Sequence, residues 1–174
     1  MNVTDHFALF GLPRAFAIDP QVLEAAWKRV ATAVHPDRFA SSSAAEKRVA
    51  LQWSTQANEA WRVLKDPLSR ARYLCELGGV DLQTETNTAM APAFLMQQME
   101  WHEALDDLMA HPNQEAYQAL AQEFDAARVE FMQTLTDLFA NNQFEQAAAR
   151  VREWMFLDKL IAQLKQTHGV IADL

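Results

Sequence analysis

Three features of the composition converge on an all-α fold. Of 174 residues only 4 are glycine and 6 proline, too little turn content for a sandwich, barrel or doubly wound sheet. Alanine, the best helix former, occurs 30 times, against 13 valines and isoleucines together. Hydrophobic residues make up 50%, which supports a packed core and argues against wholesale disorder.

Four helical segments read out of the first half. Thr4 and Asp5 can cap a short segment through Phe10, closed by Gly11 and Pro13. Asp19 stands as an N-cap with Pro20 at the first helical position, and Leu23, Trp27, Val30 and Val34 follow at helical spacing. His35-Pro36-Asp37 ends this helix, because a proline moves the residue before it out of the helical region. Ser43 and Glu46 have the spacing of a capping box, so a third helix starts there and runs to about Leu64. Asp66-Pro67 opens a fourth, which Gly78-Gly79 terminates.

Residues 80–90 are polar and aperiodic and read as a linker. Three longer helices follow. One starts near Pro92 and stops before Pro112. The next is capped by Asn113, carries Tyr117, Leu120, Phe124, Ala127, Phe131, Leu135 and Leu138 on one stripe, and breaks at Asn141-Asn142. The last runs from about Phe144 to His168 and ends at Gly169. Short loops between long amphipathic helices make antiparallel neighbours, hence a three-helix bundle over 91–174 behind a first domain over 1–79.

Charge divides the chain the same way. Residues 1–79 hold 10 Lys and Arg against 8 Asp and Glu, a balance of +2; residues 80–174 hold 5 against 15, a balance of −10. The split suggests two parts with different partners. It disfavours nucleic acid, since no strongly basic face is present to neutralise phosphates. No apolar run approaches the roughly 20 residues of a membrane span, and Met-Asn-Val-Thr-Asp at the start has no basic, signal-like character. The single cysteine, Cys75, excludes an internal disulfide framework and a zinc site built on several thiolates. The expected setting is intracellular.

His35, Pro36 and Asp37 are the most informative residues. Pro36 stiffens the turn, so His35 and Asp37 present a donor and a charged acceptor on a fixed backbone. Lys28, Arg29 and Arg38 add positive charge nearby for steering. Two ligands cannot make a metal site, and no nucleophile or phosphate-binding loop accompanies them as catalysis would need. The bland alternative is a helix-breaking surface loop.

The first helix of the second half carries a stripe out of place. At about 100° per residue, Phe94, Trp101, Leu105 and Leu108 share one direction, within about 40°. Leu95, Met96 and Met99 point about 100°, 200° and 140° away from Phe94, on the side of Glu100, Glu103, Asp106 and Asp107. Flexible apolar side chains among acids fit a partner-binding face; equally, they fit packing on the other half or on another helix. Phe156 poses the same question within Trp154-Met155-Phe156-Leu157. If Val151 and Met155 face inward, Phe156 points about 140° from Val151 and extends the patch. His102, His111, Trp27, Trp53 and Trp61 read as ordinary surface or core positions, and Cys75 as a small buried hydrophobe.

Set between a helix bearing Lys28 and Arg29 and one bearing Asn58, Ala60 and Trp61, and followed by Lys65-Asp66-Pro67, the His35-Pro36-Asp37 loop resembles that of the J-domain, the ATPase-stimulating module of co-chaperones. Over nearly its whole length the chain also resembles the HscB family of bacterial iron–sulfur cluster assembly. The segments that carry this are Leu9-Phe10-Gly11-Leu12-Pro13, His35-Pro36-Asp37-Arg38-Phe39-Ala40, Phe94-Leu95-Met96, Arg150-Val151-Arg152 and Phe156-Leu157-Asp158-Lys159-Leu160. The resemblance implies an L-shaped, two-domain, all-helical protein. Its J-domain would dock on the ATPase chaperone HscA through His35, Pro36, Asp37, Lys28, Arg29 and Arg38. Its C-terminal bundle would hold the scaffold protein IscU through Leu95, Met96, Met99, Glu100, Glu103, Asp107 and Phe156. Met99 and Asp107 depart from the family's Leu and Glu but keep their character. The paired-cysteine module of some eukaryotic members has no counterpart here, so no zinc is expected.

The resulting expectation is a cytoplasmic, monomeric co-chaperone without cofactor, metal, nucleic acid or membrane partner. It would not be an enzyme, for it has no glycine-rich phosphate cradle; the partner would hydrolyse ATP. The alternatives are a J-domain protein whose bundle holds a different client or self-associates, and a small enzyme using His35 and Asp37 as acid and base.

Overall fold

The computed structural model describes residues 5–82 and 90–172, with side chains as far as 167 in the last helix. All regular elements among these residues are helical: α1 (His6–Phe10), α2 (Pro20–Ala33), a 3-10 turn (Pro36–Phe39), α3 (Ala44–Lys65), α4 (Pro67–Leu77), α5 (Pro92–Ala110), α6 (Gln114–Ala140) and α7 (Phe144–Ala172). The chain divides into two compact units after Leu74, within α4.

The first unit is set by its caps. Asp5 accepts the Ala8 N–H at 2.8 Å and the Arg14 Nε–H at 2.7 Å, while Gly11 closes α1 at φ 66°. Thr4, the other expected cap, lies outside the described residues. Asp19 accepts from the Gln21 N–H, and Ser43 and Glu46 exchange both bonds of a capping box. Phe7, Phe10, Phe16, Leu23 and Leu64 form the core. Ala50, Ala57 and Ala60 line the inner face of α3, so neighbouring helices approach it closely. Arg70 is buried over the Phe16 ring and donates to the Leu64 carbonyl at 2.6 Å, setting a cation at the C-terminal end of α3.

In the second unit α5, α6 and α7 pack pairwise against one another, joined by short loops. Phe94, Trp101, Leu105 and Leu108 face inward from α5. On α6 the buried positions are Leu120, Phe124, Phe131, Leu135 and Phe139. Leu138, expected on this stripe, is only half-buried. Phe139 replaces it because its ring meets Phe144 at the start of α7, 6.2 Å between centroids. On α7, Trp154 and Leu157 are buried beside Val151, and Met155 is half-exposed rather than inward. Trp154 takes the inner place by stacking on Phe131 at 6.1 Å.

Gly169 does not end α7, which continues to Ala172. A lone helical glycine costs only about 1 kcal/mol relative to alanine and stops a helix mainly when it turns left-handed. Gly79 does so, at φ 80°. Gly78 serves packing instead: a Cβ there would collide with the Phe144 ring. At the start of the expected linker, Val80 is buried and the Asp81 carbonyl accepts a bond from Arg152 at 3.2 Å. Residues 83–89 of that stretch lie outside the described ones.

Candidate functional site

Two surfaces are built, one on each unit. The first is the 3-10 turn after α2. His35 has extended backbone (φ −60°, ψ 131°), as a residue before proline requires, and caps the turn. Its Nδ1 accepts the Asp37 N–H at 3.3 Å. That leaves the neutral ring its proton on Nε2, an outward donor. Asp37 Oδ2 lies 3.6 Å from the same Nδ1. The Asp37 side chain is 91% exposed and that of His35 57%. Donor and acceptor therefore stand in solvent on a backbone held by local bonds.

The basic residues nearby are partly engaged. Lys28 pairs with Glu24 one helical turn away. Arg29 Nη2 donates to the Phe10 carbonyl at 3.2 Å, tying α2 to α1, and Arg38 Nη1 donates to the Thr32 carbonyl at 3.4 Å. Neutral carbonyls accept these last two bonds, and among the described residues neither guanidinium forms an ion pair.

The second surface is the outer side of α5. Leu95, Met96 and Met99 are 46%, 65% and 71% exposed. Glu100, Glu103 and Asp107 are exposed around them. Asp107 reaches His111 at 3.3 Å, and Glu100 accepts from Gln97 at 3.4 Å. Phe156 comes to the same region from α7. Its ring meets Phe94 at 6.2 Å and His102 at 5.4 Å, both edge to face. It thus stands half-buried on the α5–α7 seam and continues the apolar side chains of α5 outward.

Three further residues at or beside these surfaces carry no mark as site residues in the sequence. His102 carries the contact to Phe156. Met109, 60% exposed, lines a cleft of about 540 Å³ with His102 and Asp106. Glu153 is 3% exposed beside Arg150, at 2.6 Å. Burial pushes the Glu153 carboxyl above its ordinary range, and Arg150 only partly offsets this. Spacing could have placed His102 next to Leu95 on the helical wheel; nothing in the sequence marks a buried glutamate.

Among the described residues no group of three or more His, Cys, Asp and Glu could hold a metal ion. Cys75 is buried, and burial raises its thiol to about 12, so it stays protonated and inert. No described helix is long and apolar enough to cross a membrane.

Residues 90–165 match a family model described as the HSCB C-terminal oligomerisation domain. A co-chaperone protein HscB homologue of Bordetella pertussis is 58% identical over 165 residues, 94% of this chain and 96% of its own length. A homologue from Burkholderia multivorans is 50% identical over 162 residues, 91% of each chain. Among solved structures, the chaperone HscB from Vibrio cholerae superposes with a TM-score of 0.82 at 31% identity, covering 96% of this chain and 99% of that one. The human co-chaperone HscB superposes with a TM-score of 0.88 at 27% identity, covering 97% and 84%.

Proposed function

The chain belongs to the HscB co-chaperone family, with an N-terminal J-domain and a C-terminal helical domain, and from this premise we propose that it is the adaptor of iron–sulfur cluster assembly that brings the scaffold IscU to the ATPase chaperone HscA. In this reading the J-domain docks on HscA through His35, Pro36 and Asp37, with Lys28, Arg29 and Arg38 steering the encounter. Docking favours the hydrolysis-competent state of HscA, which requires different affinity for its two states. The C-terminal unit holds IscU on Leu95, Met96, Met99 and Phe156, with Glu100, Glu103 and Asp107 as a polar rim. Release of the cluster to acceptors follows ATP hydrolysis by the partner, so this chain catalyses nothing itself.

One observation carries the reading of the second surface: three long apolar side chains stay about half or more exposed on the side of α5 opposite a well-packed core. Isolated surface hydrophobes are ordinary, but a contiguous set with an acidic rim fits a docking face. The decisive experiment measures HscA ATP turnover with this protein, with and without IscU. More-than-additive stimulation supports the adaptor; stimulation indifferent to IscU removes it.

The matching family model is described as an oligomerisation domain, which favours a second reading in which the same α5 face joins copies of this chain. Sedimentation across a concentration series separates the two: Leu95→Ala with Met96→Ala changes self-association in this reading, and IscU affinity in the first.

A further inference from the structure

Arg150, Arg152 and Lys159 converge on a single groove along α7. This is notable in a half of the chain that holds only 5 Lys and Arg against 15 Asp and Glu. The groove has a volume of about 750 Å³, and Pro92, Met155 and Phe156 contribute an apolar floor. Two carboxylates line it as well, Glu145 and Glu153. Glu153 is buried against Arg150, so each consumes the other's charge. Among the residues lining the groove, Arg152 and Lys159 then face one further carboxylate, that of exposed Glu145.

Among the described residues neither remaining cation forms an ion pair within 4.0 Å. Arg152 Nη2 donates to a neutral carbonyl, that of Asp81 at 3.2 Å, and its Nε is buried without a hydrogen-bond partner. Lys159 is exposed and forms no ion pair among the described residues. A half-exposed guanidinium beside an exposed ammonium, over an apolar floor, is suited to carboxylates on a short segment of chain.

The groove also continues the face on α5. Phe156 lines it and at the same time meets His102 and Phe94 of α5. At about 100° per residue, Leu95 and Met99 follow next round α5 from His102, and Glu103, Asp107 and Glu100 lie further round.

We propose that this groove is a second contact for the scaffold protein, receiving an acidic segment whose carboxylates meet Arg152 and Lys159. The proposal rests on the reading that the α5 face holds that scaffold. A footprint with opposite signs at its two ends selects orientation: a partner turned end for end would set acid on acid and base on base. The matching scaffold surface carries basic side chains opposite α5 and acidic ones opposite α7, with apolar side chains between.

Calorimetric titration of the full-length protein with IscU tests this, using Lys159→Glu, Arg152→Gln and Leu95→Ala. Lys159 is exposed and unpaired, so its variant keeps the parent's thermal midpoint, whereas Arg152→Gln also loses the Asp81 contact. The expected result is an affinity about tenfold weaker for Lys159→Glu, smaller at high salt, with HscA stimulation in the absence of IscU unchanged. Unchanged affinity in Lys159→Glu together with lost affinity in Leu95→Ala overturns the groove and leaves the α5 reading standing. Loss in Lys159→Glu with none in Leu95→Ala overturns the α5 reading and, with it, the groove as a second contact. No effect from either variant overturns both.

Discussion

Phe156 of α7 meets His102 of α5 edge to face, with 5.4 Å between ring centroids, and also meets Phe94 of the core at 6.2 Å. One side chain thereby belongs to the interior and to the surface at once. An aromatic ring held by two such neighbours loses little further freedom when a partner covers it. The half-buried position suits a binding anchor better than a freely rotating side chain would.

His35→Gln separates docking from folding. The side chain is mostly exposed, and its one bond is to the Asp37 N–H, so the helical circular dichroism and the thermal midpoint stay those of the parent. ATPase stimulation of HscA falls more than tenfold. A variant that stimulates normally removes the J-domain docking assignment.

Glu153→Gln is neutral or stabilising at pH 7, by up to about 1 kcal/mol, because it removes a desolvated charge. Arg150, left behind, is about half exposed and finds water. The sign follows from the raised carboxyl value: the native state prefers the protonated acid, so burial opposes folding when pH stands above the folded value. This penalty disappears as pH falls through that value towards 4.5, the ordinary glutamate value. Urea unfolding at pH 7 and pH 4.5 should show the difference between parent and variant closing at the lower pH.

Asp5→Ala costs about 1–2 kcal/mol at pH 7, the loss of an N-cap that also pairs with Arg14. Burial raises the Asp5 carboxyl, but bonds from Ala8 and Arg14 outweigh it and hold the carboxyl below its ordinary 3.8. The stabilisation is therefore complete well above 3.8 and is lost as pH falls through the depressed native value. Parent and variant converge in acid unfolding below that point; a constant gap contradicts the assignment.

Gly78→Ala and Gly79→Ala fail for different reasons. The first drives a methyl group into the Phe144 ring, an overpacking cost of about 1–3 kcal/mol. The second meets no atom but must hold φ at 80°, at about 1 kcal/mol. Adding Phe144→Leu should recover part of the first loss and none of the second, as read from chemical unfolding midpoints.

Local chemistry made much of this fold legible. The caps at Asp5, Asp19, Ser43 and Asn113 and the capping-box partner Glu46 all lie within a turn of the helix they start. Angular counting along α5 separated Phe94, Trp101, Leu105 and Leu108 from Leu95, Met96 and Met99, because that helix buries a narrow stripe. Counting failed where two apolar residues compete for one inward place. Phe139 displaced Leu138 and Trp154 displaced Met155 through contacts with other helices. The groove on α7 was illegible for the same reason, since Pro92 and Phe156 meet only in three dimensions.

Leu95, Met96 and Met99 are borne on a helix, which limits what they can do between encounters. The edge of a sheet offers unpaired backbone groups, and an apolar stretch there invites strand addition and fibril growth. On α5 the N–H and C=O groups are spent within the helix. Only side chains are on offer, and a second molecule cannot extend the backbone pattern. A sticky face of this kind therefore offers no template for growth by strand addition.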